Sequence, residues 1–303
     1  MSNAIEIDRV TKRYGDVVAL DSVSFSVPER SLFGLIGPDG AGKTTLYRIL
    51  TTLLSPDSGT ATVSGLDSVK DFRQIRASIG YMPERFSLYP DLTVNENLHF
   101  FASLFGVRVK DNYDLIAPMF TQLARFPNRM AGALSGGMKQ KLALGCALIH
   151  RPKILLLDEP TTGVDAMSRN EFWDILSNLK QQGITILVST SYMDEAQRCE
   201  RIALIDKGHI LDVNTPAALI AGIKETIYNA SAVEMYPLLE ALRTLPDVKR
   251  CYTFGATLHV VVEDGFDVAA AVSALTKRGL TDVKIYPAEA EIEDLFINLI
   301  DNG

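Results

Sequence analysis

The residues with the clearest chemical capacity form a glycine-rich run: Gly37, Pro38, Asp39, Gly40, Ala41, Gly42, Lys43, Thr44 and Thr45, which fits G-x-x-x-x-G-K-[ST]. Glycines let a backbone curl until successive N–H groups face one centre, and a helix starting near Lys43 adds the partial positive charge of its N-terminus. Such a turn binds phosphate groups. Lys43 supplies a charge that reaches the outer phosphates, and Thr44 a hydroxyl for Mg2+, an ion that prefers oxygen ligands and keeps several waters. A second reactive group, Asp158 followed by Glu159, closes the apolar run Ile154, Leu155, Leu156, Leu157. Asp158 is placed to hold the same ion, directly or through water. Glu159 is placed to orient or deprotonate an attacking water, a role that contributes about 10²–10⁴ in rate.

These groups meet only if specific elements carry them. The phosphate turn needs a strand before it and a helix after it, and the sequence offers both: an apolar stretch at 31–36 and helical spacing at 43–54, ended by Ser55, Pro56, Asp57, Ser58 and Gly59. The apolar runs 154–157 and 184–188, separated by an amphipathic 168–180, have the pattern of a parallel βαβ crossover in a buried sheet. Upstream, 4–14 and 17–27 read as strands joined at Gly15-Asp16. Residues 94–149 lack β-rich runs and read as an inserted helical subdomain, interrupted near Phe126, Pro127 and Asn128. A hairpin at 202–213 and a helix opened by Pro216 close a first domain, expected at 1–222. The remaining 223–303 read as strand, helix, strand, strand, helix, strand and a last helix, an α+β unit of ferredoxin-like type with no catalytic motif.

Composition sets outer limits. A chain of 303 residues allows two domains, each able to bury a core. Its formal net charge of −7 argues against broad nucleic-acid binding. No apolar run approaches the roughly 18 residues of a spanning helix, and the first residues lack the charged start and apolar core of a secretion signal. Cys146, Cys199 and Cys251, odd in number and without a CxxC pair, read as core thiols.

Between the two reactive groups lies Leu134, Ser135, Gly136, Gly137, Met138, Lys139, Gln140, which resembles the signature loop of ATP-binding cassette (ABC) proteins in position as well as in sequence. The resemblance covers about 4–220. It implies an α/β P-loop NTPase core that takes ATP and Mg2+, and a head-to-tail dimer in which Ser135, Gly136 and Gly137 of one cassette cap the γ-phosphate held by the other. A serine hydroxyl and exposed amides at a helix start suit an anion physically. Tyr14 falls where an aromatic ring stacks on adenine in the family, with core packing as the alternative, and Val164-Asp165 resembles the D-loop that communicates across the dimer. The stretch from Leu88 to Leu98 resembles the drug-resistance (ABC-2) exporter branch, which implies integral-membrane permease subunits as partners and a location on the cytoplasmic face of the cell membrane. Phe86, Leu88 and Tyr89 are candidates for a groove that receives a permease helix, or for ordinary packing. The likeness to the first half of tandem-cassette efflux ATPases implies a second cassette, as a homodimer, as a heterodimer or within one longer polypeptide.

Two positions depart from the family pattern. Glu84 stands where the family has the Q-loop glutamine, and Ser191 where it has the switch histidine. Glu84 is therefore a candidate oxygen ligand for Mg2+ and Ser191 a weakened member of the catalytic set; turnover is expected to be slow and nucleotide binding steeply dependent on Mg2+. Two other readings compete. A soluble regulatory cassette would normally bring two cassettes and a basic linker, neither of which is present. A nucleotide-binding scaffold with little hydrolysis is favoured by Glu84 and Ser191 and disfavoured by Glu159.

Overall fold

The computed structural model describes residues 2–85 and 87–302. The chain divides into two compact units, Met1–Pro216 and Ala217–Gly303, six residues before the boundary expected at 222. The first unit opens with β1 (Asn3–Tyr14) and β2 (Val17–Pro28), paired antiparallel across the Gly15 turn. The buried strand β3 (Leu32–Ile36) feeds the phosphate turn and α1 (Lys43–Leu50). Then come β4 (Ser58–Val63), β5 (Leu66–Asp67), α2 (Phe72–Ser78) and β6 (Ile79–Met82). Sequence reading assigned no element to this stretch, because β4 is mostly exposed threonine, serine and glycine that gains strand form by pairing with β1.

Three helices, α3 (Val94–Leu104), α4 (Tyr113–Leu123) and α5 (Gly136–Leu148), occupy the segment read as helical. A capping box of Thr93 and Glu96 starts α3, satisfying two N–H groups that the first turn leaves without partners. The βαβ crossover is β7 (Ile154–Asp158), α6 (Ala166–Gln181) and β8 (Thr185–Thr190), followed by β9 (Arg201–Asp206), β10 (His209–Asn214) and the short α7 (Pro216–Ala221). One sheet runs β2-β1-β4-β5 and the other β10-β9-β3-β8-β7-β6. Both sheets and α1 supply one core, in which Phe25 stacks on Phe33 at 5.6 Å and Leu46, Tyr47 and Ile49 are fully buried. Every residue of β3, β7 and β8 is buried, as expected of parallel strands covered on both faces. Because β8 lies between β3 and β7, its C-terminal end separates the phosphate turn from the Asp158-Glu159 pair.

The second unit contains β11 (Thr226–Ser231), α8 (Met235–Arg243), β12 (Val248–Phe254), β13 (Thr257–Val262), α9 (Val268–Lys277), β14 (Lys284–Pro287) and α10 (Ile292–Asn302). Its sheet is antiparallel throughout with order β12-β13-β11-β14, the split order of a βαββαβ unit. Leu238 and Leu242 of α8 and Leu275 of α9 pack on Leu258, Val260 and Val262. By strand alternation His259 points to the other face, where it meets Asp294 of α10.

Candidate functional site

The turn between β3 and α1 has no room for side chains at two of its glycines. A Cβ on Gly37 would lie 2.1 Å from the Ile205 carbonyl oxygen, and one on Gly42, whose φ is +106°, 2.5 Å from that of Ala19. Glycine is thus required for the backbone to close tightly enough to present its N–H groups. The turn walls a cavity of about 370 Å³ with Asp39, Gly40, Gly42, Lys43, Thr44 and Thr45, and Glu84 and Glu159 face it from the other side. Lys43 is 5% exposed. Its Nζ donates to the carbonyls of Gly37 (2.6 Å) and Pro38 (2.8 Å) and lies 2.9 Å from Glu159 Oε1. That last contact is an ion pair without the alignment of a hydrogen bond.

Asp158, at the end of β7, is fully buried. Its Oδ1 accepts a 2.7 Å hydrogen bond from Ser189 Oγ, whereas its Oδ2 has no well-aligned partner. Burial pushes the Asp158 pKa up and the neighbouring Glu159 and Glu84 charges push the same way, against the hydroxyls of Ser189 and Thr44, which favour the carboxylate. Beside it the Tyr47 hydroxyl, also fully buried, is held well above its ordinary pKa by burial and by the Asp158 charge. Glu159 follows in the left-handed region at φ 50°. Its N–H donates to Ser189 Oγ at 2.9 Å, and its Oε2 accepts from Thr162 Oγ1 (3.1 Å) and from the N–H of Ser191 (3.2 Å), with Ser191 Oγ at 3.5 Å.

The turn residues, Glu84 and Glu159 therefore line one cavity within a single chain, with Asp158 and Ser191 held beside Glu159 by hydrogen bonds. Tyr14 and the Ser135 to Gly137 stretch are not part of its wall. Tyr14, at the end of β1, is 44% exposed. Ser135 is the N-cap of α5, its hydroxyl accepting from the Met138 N–H at 3.4 Å, and Gly137 is pressed so closely on Ser168 that a Cβ would fall 2.6 Å from its Oγ. Leu88 is buried at the edge of a second, apolar cavity of about 250 Å³ that Tyr81, Phe101, Leu104, Phe105 and His150 also line. Tyr89 is 48% exposed and meets Phe100 edge-on, and Phe86 lies outside the described residues.

Two buried residues escaped the sequence reading. Ser189 bridges Asp158 and Glu159, and Glu195 accepts from Thr161 (3.1 Å) and Thr190 (2.6 Å), tying the loop after β7 to β8. The only local signal for Ser189 was a hydroxyl directly after the apolar 186–188 run of β8, and the register that sets it beside Asp158 appears only in the fold.

A family model described as ABC transporter matches residues 20–162. A probable multidrug ABC transporter ATP-binding protein of Escherichia coli K12 is 39% identical over 98% of the chain and 52% of its own length, so the chain spans about half of that relative. A Nod factor export ATP-binding protein I of Paraburkholderia xenovorans is 37% identical over 98% of the chain and 96% of its own length. Among solved structures, a dimeric bacterial ABC transporter cassette superposes with TM-score 0.63 at 26% identity, covering 70% of the chain and 98% of that cassette. A post-hydrolysis form of that cassette, bound to ADP and Pi, matches equally well, with TM-score 0.63 at 26% identity.

Proposed function

The chain belongs to the ABC transporter family, and we propose that it binds MgATP at the Lys43 turn and hydrolyses it to drive an exporter whose membrane-spanning subunits are other chains. The observation that carries this reading is a buried carboxylate pair, Asp158 and Glu159, set at the mouth of the phosphate turn with one oxygen of Asp158 left without a hydrogen bond.

The donor set fits Mg2+. Thr44 and Glu84 line one cavity with hard oxygens, Asp158 Oδ2 lies buried without a well-aligned partner next to Glu159 of the same wall, and an orphaned buried oxygen is costly unless a ligand satisfies it. When bound, the ion would neutralise charge on the β- and γ-phosphates as the phosphoryl group leaves. The turn's N–H groups and the α1 N-terminus bind and orient the phosphates. Lys43 shifts its charge to them, because a phosphate competes with Glu159 for its ammonium, and Glu159 Oε1 is released toward the attacking water. Glu159 then accepts the water's proton, while Ser191 keeps its Oε2 in place. Serine gives a weaker grip than the family's histidine and makes no charged contact with phosphate, so the site turns over slowly.

Ser135, Gly136 and Gly137 lie away from the Lys43 cavity, which suits a role on the nucleotide of a second cassette, in a homodimer, a heterodimer or a longer polypeptide. Tyr14, exposed at the end of β1, suits adenine stacking. The relatives named for multidrug and Nod factor export support an export role on the cytoplasmic face of a membrane, and no helix among the described residues is long and apolar enough to cross one. The apolar cavity edged by Leu88 is the surface for a permease helix. Phosphate release from ATP by the purified chain, with and without Mg2+ and beside Lys43→Ala, tests the reading. Mg2+-dependent release that Lys43→Ala abolishes supports it, and release indifferent to both contradicts it.

A further inference from the structure

Among the described residues, Ser189 is the one side chain hydrogen-bonded to both Asp158 and Glu159, to the carboxylate of the first and the backbone N–H of the second. It is fully buried on β8, the strand between the phosphate turn and β7, and the parallel register sets it directly beside Asp158. Its single hydroxyl makes two bonds with opposite polarity, donating to Asp158 Oδ1 at 2.7 Å and accepting from the Glu159 N–H at 2.9 Å. We infer that Ser189 is a positioning residue for hydrolysis, acting on the metal-facing carboxylate and on the base through one rigid bridge.

Geometry supplies three reasons. Asp158 has two oxygens, and satisfying Oδ1 from β8 fixes the carboxylate so that Oδ2 is the one left without a well-aligned partner. Glu159 sits at φ 50°, a conformation that residues with a Cβ adopt at a cost and that must be held by its surroundings. Its N–H would otherwise be a buried donor without a partner, so the Ser189 acceptor is what keeps the turn. A hydroxyl is also the smallest group that can donate and accept at once. A purely structural serine would need only one of these bonds. The pair of bonds couples the orientation of the ion's ligand to that of the base.

This inference rests on the MgATP reading, and the test separates the two. Ser189→Val removes the hydroxyl and puts a β-branched side chain suited to the strand in its place, while Ser189→Thr adds the same branch and keeps the hydroxyl. Two quantities are read on the full chain: the Mg2+ concentration that half-saturates ATP binding, and kcat and KM for ATP. Loss of a charge-assisted hydrogen bond predicts a rise of about tenfold in the half-saturating Mg2+ and a fall of about ten- to a hundredfold in kcat for Ser189→Val. KM is expected to stay within about threefold and Ser189→Thr to recover most of both losses, which a merely structural role would not produce. Should the parent bind MgATP and Ser189→Val leave both quantities unchanged, or lower binding with and without Mg2+ alike, the positioning role is wrong and the nucleotide reading survives. Should the parent bind no MgATP, the nucleotide reading fails and the inference falls with it.

Discussion

Two buried aspartates in this molecule have opposite fates. Asp294, in the second unit, is 3% exposed and fully served: Oδ1 accepts from Tyr252 OH (2.5 Å) and meets His259 Nδ1 (2.6 Å), and Oδ2 accepts from the Glu291 N–H (2.6 Å). His259 is further fixed by stacking on Phe254 at 3.8 Å. Asp158, in the first unit, has one oxygen served by Ser189 and the other buried with no well-aligned partner, directly before Glu159, which lines a cavity of about 370 Å³. Burial acts on both, but only one environment compensates it. A fully bonded carboxylate ties a helix to a sheet, whereas a half-bonded one stores a demand that a cation meets. The same rule separates the two units chemically: in the second, Asp294 spends its bonding capacity on holding α10, and in the first some capacity is held back.

The largest expected difference is in rate. Glu159→Gln should lower ATP turnover by about 10²–10⁴ while leaving MgATP binding measurable, and Asp294→Asn should leave turnover within about twofold of the parent; steady-state phosphate release on the two variants checks both. Stability should show the reverse order. Asp294→Ala leaves His259 and Tyr252 without their shared acceptor and should cost the second unit about 3 kcal/mol, read by denaturant unfolding of the full chain. A loss below about 0.5 kcal/mol would mean that Asp294 is not what holds α10. A smaller effect concerns the departures from the family pattern. Glu84→Gln/Ser191→His should raise kcat about ten- to a hundredfold and flatten the Mg2+ dependence of nucleotide binding, since it restores a charge-directed contact and removes a carboxylate that repels phosphate when no ion intervenes. Equal rates in the parent and the double variant would mean that the Ser191 contacts to Glu159 compensate for the histidine.

How much of this was legible follows from where the signal lies. The phosphate turn, the strand ending in Asp158 and the serine-glycine start of α5 are local: each is a run of neighbouring residues whose types and order state their task. The strands of the βαβ crossover were legible for the same reason, as uninterrupted apolar runs bounded by turns. Residues 58–82 were not, because β4 owes its form to pairing with β1 and carries little apolar pattern of its own. Ser189 was hidden by a different cause. Its importance comes from the Asp158 to Ser189 register across two strands 31 positions apart, and no local window contains both. Asp294 is the same case in the second unit, where the partners His259 and Tyr252 lie 35 and 42 positions away. Chemistry written along the chain is readable from it, and chemistry assembled across strands needs the fold.

The central claim, that Asp158 is held in an environment completed by a cation, is tested most directly by the thermal stability of Asp158→Asn against the parent, with and without MgATP, across pH. Burial raises the folded-state pKa of Asp158 above its unfolded value, so ionising it weakens the free chain; this penalty is absent below the unfolded pKa, near 4, and complete above the folded one. The asparagine variant carries no such penalty. The account predicts that without ligand its Tm exceeds the parent's, by about 2–4 °C for each kcal/mol relieved, with the gap opening as pH rises from about 4. With MgATP the order should reverse, the parent gaining stability and the variant gaining little. A variant less stable than the parent at neutral pH without ligand, or one stabilised by MgATP as much as the parent, would contradict it.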